Sequence, residues 1–333
     1  MAITTLTETL DNLYTTTWQN MKSSVADQIF DATPFWFWMR ANGMLESVEG
    51  GRFLTEPLRY AKSQNVEFVT RGSSVDLSDQ EFLTLAKEDW KYLVDTIVRF
   101  GVDDQQNRGK NAILSLVTAK LDNSKDSLID TIETRLAGAA GTNQFNGLLD
   151  IVPDDPTVTG ATLHGIDPSD KTWWQSKERD FNALDSTFSG DGVIGMNNLL
   201  NECSNNLRQD TPDIIVSGKH PFELYWEETL EQRRVVNKVM GDAGFQNIEF
   251  RGIPMVWSPT INSSLITSVD GRMYFLNTRF LKFKYDPMLF FDMTEWKDIP
   301  NQINDRAAQV ILAGNLMTGR RRVHGVYHGL NTL

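Results

Sequence analysis

Residues 105–137 read QQNRGKNAILSLVTAKLDNSKDSLIDTIETRLA. Leu114, Val117, Leu121, Leu128, Ile132 and Leu136 recur at helical spacing and lay one apolar stripe along a rod. Asp103 and Asp104 suit the positive end of the helix dipole, and Arg135 followed by Gly138 suits the other end. At 1.5 Å per residue, about 30 residues make a rod of roughly 45 Å. That length exceeds what ordinary globular packing needs. The pattern predicts a spine on which other elements are laid.

The chain on either side of the spine divides into unlike parts. Residues 1–47 form an arm rich in rings, with Trp18, Phe30, Phe35, Trp36, Phe37 and Trp38 and few aliphatic partners of their own. Residues 48–98 read as a long hairpin-like excursion opened by Gly50-Gly51. Val66, Phe68 and Thr70 alternate with Glu67, Val69 and Arg71, Gly72-Ser73-Ser74 supplies a turn, and a return strand runs through Trp90, Tyr92, Val94, Thr96 and Val98. Residues 141–275 read as an α/β body. It contains the buried strand Pro212–Ser217, a helix from about Pro221 to Arg234, and a strand pair punctuated by Gly252 and Pro254. From Met273 the chain returns to strands, which we group with the spine as one domain of residues 99–140 and 276–333. The fold class is α+β.

Composition removes several functions. The 333 residues carry 32 Lys and Arg against 44 Asp and Glu, a formal charge of −12. A field of that sign repels phosphates, so sequence reading of DNA is not expected. Arg320-Arg321-Arg322 is the one basic run. The single cysteine, Cys203, excludes an intrachain disulfide and a multi-thiolate metal site. The longest ring-rich run, Phe35 to Met39, is far too short to cross a bilayer.

No motif carries chemistry. Gly190 to Gly195 fits GxGxxG but follows Leu184–Ser189, which has no strand signature, so the reading is a plain glycine-rich loop. His324 and His328 stand four apart without the acidic residue of a zinc-protease helix, and glycines flank them. Neither a nucleophile elbow nor a phosphate loop occurs. No catalytic residue, cofactor or metal is expected.

Several short stretches, in shared order and spacing over residues 90–330, resemble tailed-bacteriophage major capsid proteins of the Hong Kong 97 type. They are Asn107-Arg108-Gly109-Lys110, Gln144-Phe145-Asn146-Gly147-Leu148, Gly165-Ile166-Asp167 with Trp173-Trp174, and Thr211 to Val216. Phe250-Arg251-Gly252-Ile253-Pro254-Met255-Val256-Trp257, Met273 to Thr278 and Gly314-Asn315-Leu316 complete the set. The resemblance implies an N-terminal arm, an extended β-hairpin loop, a peripheral domain holding the spine helix and a long sheet, and an axial α/β domain. It implies self-assembly into the pentamers and hexamers of an icosahedral head shell, made in a bacterial cytoplasm and enclosing DNA without sequence-specific binding. Portal and decoration proteins are the implied partners. A separate scaffolding protein is expected, because no long scaffolding-like segment precedes the arm. Some relatives cross-link through a loop lysine, for which Lys62 is the counterpart, without an identifiable asparagine partner.

Function then rests on interfaces rather than a pocket. The expected intersubunit residues are Trp36, Phe37 and Trp38 of the arm, Phe68, Trp90 and Tyr92 of the loop, and Arg320, Arg321 and Arg322. Two other readings stay open. One is a bacterial nanocompartment shell of the same fold; the other is a soluble α/β hydrolase or binding protein built on residues 141–275.

Overall fold

The computed structural model describes residues 16–18, 34–75, 77–101, 110–181, 188–204, 210–229, 247–262, 271–300 and 305–330. The spine is helix α2, Lys110–Ala137, after the short α1, Pro34–Ala41. Its 28 residues span about 42 Å. Leu121, Leu128, Ile132 and Leu136 are buried along the predicted stripe. The side chains of Leu114 and Val117, and residues 102–109, lie outside the described residues.

Two long strands supply the sheet that the spine covers. Strand β12, Arg306–Thr318, lies between β10, Leu281–Met293, and β4, Lys91–Arg99, antiparallel to both. Strand β1, Leu45–Ser47, runs parallel to β10, and the two-residue β11, Lys297–Asp298, pairs with the start of β12. Gly314 permits the closest approach in this sheet. A Cβ there would stand 2.6 Å from the Lys284 carbonyl oxygen on β10. The β10–β12 register shifts between Tyr285 and Asp292, where Phe291 takes a positive φ of 53°. The bulge turns the Phe291 carbonyl to accept a bond from Trp18 Nε1 at 3.1 Å, which pins the arm on this sheet.

The second sheet has the order β5-β13-β9-β6-β8-β7, from β5, Lys177–Asp180; β13, Gly325–His328; β9, Met273–Leu276; β6, Ile214–Ser217; β8, Ile253–Trp257; and β7, Asn247–Phe250. Its central strands β6 and β9 are buried at every position because both faces are covered. Ile214, Val216, Tyr274 and Leu276 join the core that holds the spine stripe and Phe283, Leu312 and Leu316. Ile215, Met273, Phe275 and Tyr327 face the other way. There they meet α4, Val193–Cys203, and α5, Lys219–Glu228, through Met196, Leu199, Phe222 and Tyr225.

Three expectations change. Residues 66–71 form no strand. The loop's ladder is β2, Leu54–Arg59, paired with β3, Leu83–Glu88, nearer the body. Alternation alone could not make a strand at 66–71, because its side chains stand exposed on both faces: Val66 is 84%, Phe68 109% and Val69 54% exposed. The strand at 91–99 belongs to the spine-side sheet and not to the loop, which ends near residue 90. The segment 325–328 is a strand of the six-stranded sheet, so the C-terminal part does not stay wholly with the spine. Gly190–Gly192 lies in a single π-turn that leads into α4; residues 182–187 before it lie outside the described residues.

The end of the spine is held by Gly147. Its N–H donates to Asp150 Oδ2 at 2.8 Å, and a Cβ would stand 1.9 Å from the Gly138 carbonyl oxygen and 2.6 Å from that of Arg135. Backbone on both sides leaves no flexible atom to yield. Gly147→Ala is expected to cost about 2 kcal/mol, read as a lower urea midpoint at unchanged slope by circular dichroism.

Candidate assembly interface

The loop is fixed at its stem. Leu54, Leu58 and Ala86 are buried in the main core. Lys284 on β10 is itself buried, and its Nζ donates to the Thr55 carbonyl and to Glu56 Oε2, both at 2.6 Å. Glu46 on β1 closes the network with Lys282 at 2.8 Å and Lys284 at 3.5 Å. Burial alone would raise the Glu46 pKa. The hydrogen bonds and charges of the two lysines outweigh it and hold the carboxyl below its usual range. The same four groups therefore tie the loop to two strands of the sheet.

A histidine secures the other leg. His164 is buried, with Nδ1 at 2.9 Å from Glu88 Oε2, while its Nε2 accepts from the Thr318 N–H at 3.1 Å. An acceptor Nε2 requires the neutral ring protonated at Nδ1, which then donates to Glu88. The His164 carbonyl also accepts from the Lys87 N–H. Desolvation raises the Glu88 carboxyl, but the hydrogen bonds from His164 and Asn146 and the charge of Lys91 outweigh it, and its pKa sits below the ordinary value. Trp90 Nε1 donates to the Gly51 carbonyl at 2.9 Å and joins the first and last residues of the excursion.

Beyond this stem the loop exposes apolar side chains. Val66, Phe68, Val69, Val75, Leu77, Phe82, Leu83 and Leu85 are all exposed, Leu77 to 88%. The legs stay together through Tyr60 N–H to the Phe82 carbonyl, Gln64 N–H to Gln80 Oε1 and Asn65 Nδ2 to the Ser78 carbonyl. Tyr92 and Val94 extend the apolar surface onto the outer face of β4. A surface of this kind, on a stem held in place, is a candidate surface for a partner.

The nine interface residues expected from sequence separate into groups. Phe68 and Tyr92 are exposed. Phe37, Trp38 and Trp90 are instead half-buried against the subunit's own core, because α1 and the loop stem pack there. The side chain of Trp36 lies outside the described residues. The arginine run is divided by its own geometry. Arg320 pairs with Asp210 at 2.6 Å and stands 4.8 Å over the Phe280 ring. Arg321 is buried and donates to the carbonyls of Ile151 (2.7 Å) and Asp150 (2.9 Å), so it is a structural residue and not an exposed one. Desolvation pulls its pKa down to about 10. Arg322 is half-buried at the edge of a groove. Sequence reading passed over Leu83 and Leu85, whose signal was inverted polarity: on β3 the small Ala86 faces in while the leucines face out.

His324 and His328 are held by partners within the subunit. His324 is buried, its Nδ1 accepts from the Asn277 N–H at 3.2 Å and its Nε2 meets Thr318 Oγ1 at 3.1 Å, while His328 lies beside Glu178. Among the described residues no group of three or more His, Cys, Asp or Glu is placed to hold a metal. Burial, and then the charge of Arg321, push the His324 pKa down to about 3. The unfolded ring binds a proton near pH 6.5 and the folded ring does not, so His324 withdraws stability as pH falls from 6.5 towards 3, by about 1.4 kcal/mol per pH unit. Urea midpoints of wild type and His324→Asn between pH 7 and 4 isolate this: the wild type should lose more stability on acidification than the variant.

No protein-family model matches the sequence, and no curated protein matches it either. Solved structures do match. The chain is similar to the protein of the cyanophage A-1(L) capsid asymmetric unit, with a TM-score of 0.62 at 15% identity over 88% of this chain and 93% of that one. It is similar to the capsid of a native GTA particle, with a TM-score of 0.53 at 8% identity over 87% and 89% of the two chains. It is also similar to the encapsulin of the holo-SrpI complex of Synechococcus elongatus, with a TM-score of 0.50 at 12% identity over 90% and 88%. At these identities the likeness is one of architecture: the chain has the Hong Kong 97-type capsid fold.

Proposed function

We propose that this chain is the major capsid protein of a tailed bacteriophage, a structural subunit that assembles with copies of itself into pentamers and hexamers of an icosahedral head. The observation that carries the reading is the loop: an apolar tip left uncovered by its own subunit, on a stem held by buried charge and histidine bonds. Assembly covers that tip, and apolar burial at roughly 25 cal/mol per Å² supplies its driving force. The shell encloses DNA, and an acidic subunit suits a wall from which packed DNA must slide free. Scaffolding, portal and decoration proteins are the partners such a head uses, with assembly in the host cytoplasm and the virion as destination. Lys62, exposed on the loop, is the residue a covalent cross-link would use.

The likeness to an encapsulin favours one second reading, a nanocompartment shell. The two differ in what the particle holds. Shells made in a bacterium and examined by electron microscopy and mass spectrometry would contain a co-encoded cargo enzyme under the second reading. Under the first they are empty, or formed on a scaffold.

The test is assembly of the purified chain, followed by light scattering and small-angle X-ray scattering across concentration. Shells, pentamers or hexamers are expected, and a compact monomer with a radius of gyration of about 20 Å at every concentration would overturn the proposal. Phe68→Ser combined with Leu77→Ser should raise the concentration needed for assembly at least about tenfold. It should leave the melting temperature of the unassembled subunit unchanged, because neither side chain touches the core. Trp90→Ala should do the reverse and lower the melting temperature first.

A further inference from the structure

A groove of about 560 Å³ runs beside the loop stem, between Leu58–Val66 and Trp173, Gly319, Arg320 and Arg322. Tyr60 and Trp173, stacked 5.2 Å apart, form part of its wall. Four cations line it: Arg59, Lys62, Arg320 and Arg322. Arg320 is committed to Asp210. Arg59, Lys62 and Arg322 form no ion pair among the described residues. Their sign opposes the surplus of the chain, 44 acidic against 32 basic residues.

A matching row stands on the spine. Asp122, Asp126 and Asp130 are exposed on α2 and four residues apart, so they form one ridge about 12 Å long. Like charges at this spacing repel and weaken the helix that carries them. Lys125 lies beside them without an ion pair to any of them among the described residues. Glu133 continues the row half-buried; its carboxyl is raised above the usual range, by burial first and then by the charge of Asp130. Among the described residues no cation forms an ion pair with this ridge.

We propose that the ridge Asp122–Asp126–Asp130 of one copy docks against Arg59, Lys62 and Arg322 of a second copy, fixing where one subunit's loop stem meets its neighbour's spine. The proposal rests on the assembly reading above. Three carboxylates meet three cations that form no ion pair among the described residues, and the contact is heterologous, the kind whose repetition gives a ring where the rotation closes. A polyanion such as DNA could satisfy the groove but would leave the ridge unmatched. The ridge favours a second copy. At such exposed sites the charges steer encounter and set register, while the apolar loop supplies affinity.

The test is charge exchange in the full chain. One variant carries Asp122→Lys, Asp126→Lys and Asp130→Lys, a second carries Arg59→Glu, Lys62→Glu and Arg322→Glu, and a third carries all six. Assembly is followed by light scattering and electron microscopy, and folding of unassembled subunits by thermal circular dichroism. Each triple variant should raise the assembly concentration at least about tenfold with an unchanged melt, and the six-site variant should return to within about threefold of wild type. Alongside this, carbodiimide coupling of mixed isotope-labelled wild-type shells should join Lys62 of one copy to Asp122, Asp126 or Asp130 of another, as read by mass spectrometry. A silent ridge reversal in a wild type that assembles overturns the pairing, and so does a six-site variant no better than either triple. Where a variant fails to fold, the coupling decides, and absence of any intercopy link from Lys62 to the ridge overturns the proposal. A wild type that never assembles removes the assembly reading itself, and this inference with it.

Discussion

The six-stranded sheet is buried on both faces, and the rest of the subunit depends on that constraint. Successive residues of Ile214–Ser217 and Met273–Leu276 point alternately into the core of the spine and into the core under α4 and α5. Neither core could be wet without exposing the other's backing. The two layers therefore fold as one body, and β13 locks them by carrying the last part of the chain between β5 and β9. Thr318, at the end of the other sheet, meets His164 and His324 at once and so joins the loop stem to this junction through neutral rings.

A rigid body makes the loop's exposure meaningful. If the stem could hinge freely, the apolar tip would collapse onto the nearest dry surface of its own subunit. Buried Lys284 prevents that, because moving the stem would strand an ammonium group away from water and from Glu56. A buried cation left without its partner costs several kcal/mol. The pair thus acts less as a source of stability than as a reason for one geometry. What the subunit gains is a surface already arranged for a neighbour, which lowers the entropy lost when that neighbour arrives.

Part of this was legible in the sequence. The spine was, since a stripe at helical period over so many residues has one economical solution, and so were the strands Ile214–Ser217 and Met273–Leu276, whose apolar runs Ile214–Val216 and Met273–Leu276 signal cover on both faces. Strand partners were not. The alternation in 66–71 and 91–99 looks alike in one dimension, yet only the second has β12 beside it. The exposure of the expected interface residues was half legible for the same reason. Rings such as Phe37, Trp38 and Trp90 announce burial without saying whether their own subunit or another supplies it. Consecutive arginines likewise announce charge and not direction: Arg321 turns inward because carbonyls of Asp150 and Ile151 wait there, while Arg320 finds Asp210.

On the proposed assembly, Leu83, Leu85 and Phe68 are the sequence signal that reaches beyond the subunit. A strand that turns its alanine inward and its leucines outward violates the ordinary pattern of a two-layer protein, and in the proposed shell a partner would complete the layer. Charge behaves in parallel. An acidic chain that gathers at one groove three cations, and along one helix three carboxylates, none of them ion-paired among the described residues, carries two local costs that a second copy can offset. Apolar burial is indifferent to register, since a loop shifted by a residue or two along a dry surface loses little. Opposed charges are not indifferent, because a shift sets like against like. A shell needs both terms: the first to form contacts at all, and the second to make every contact the same.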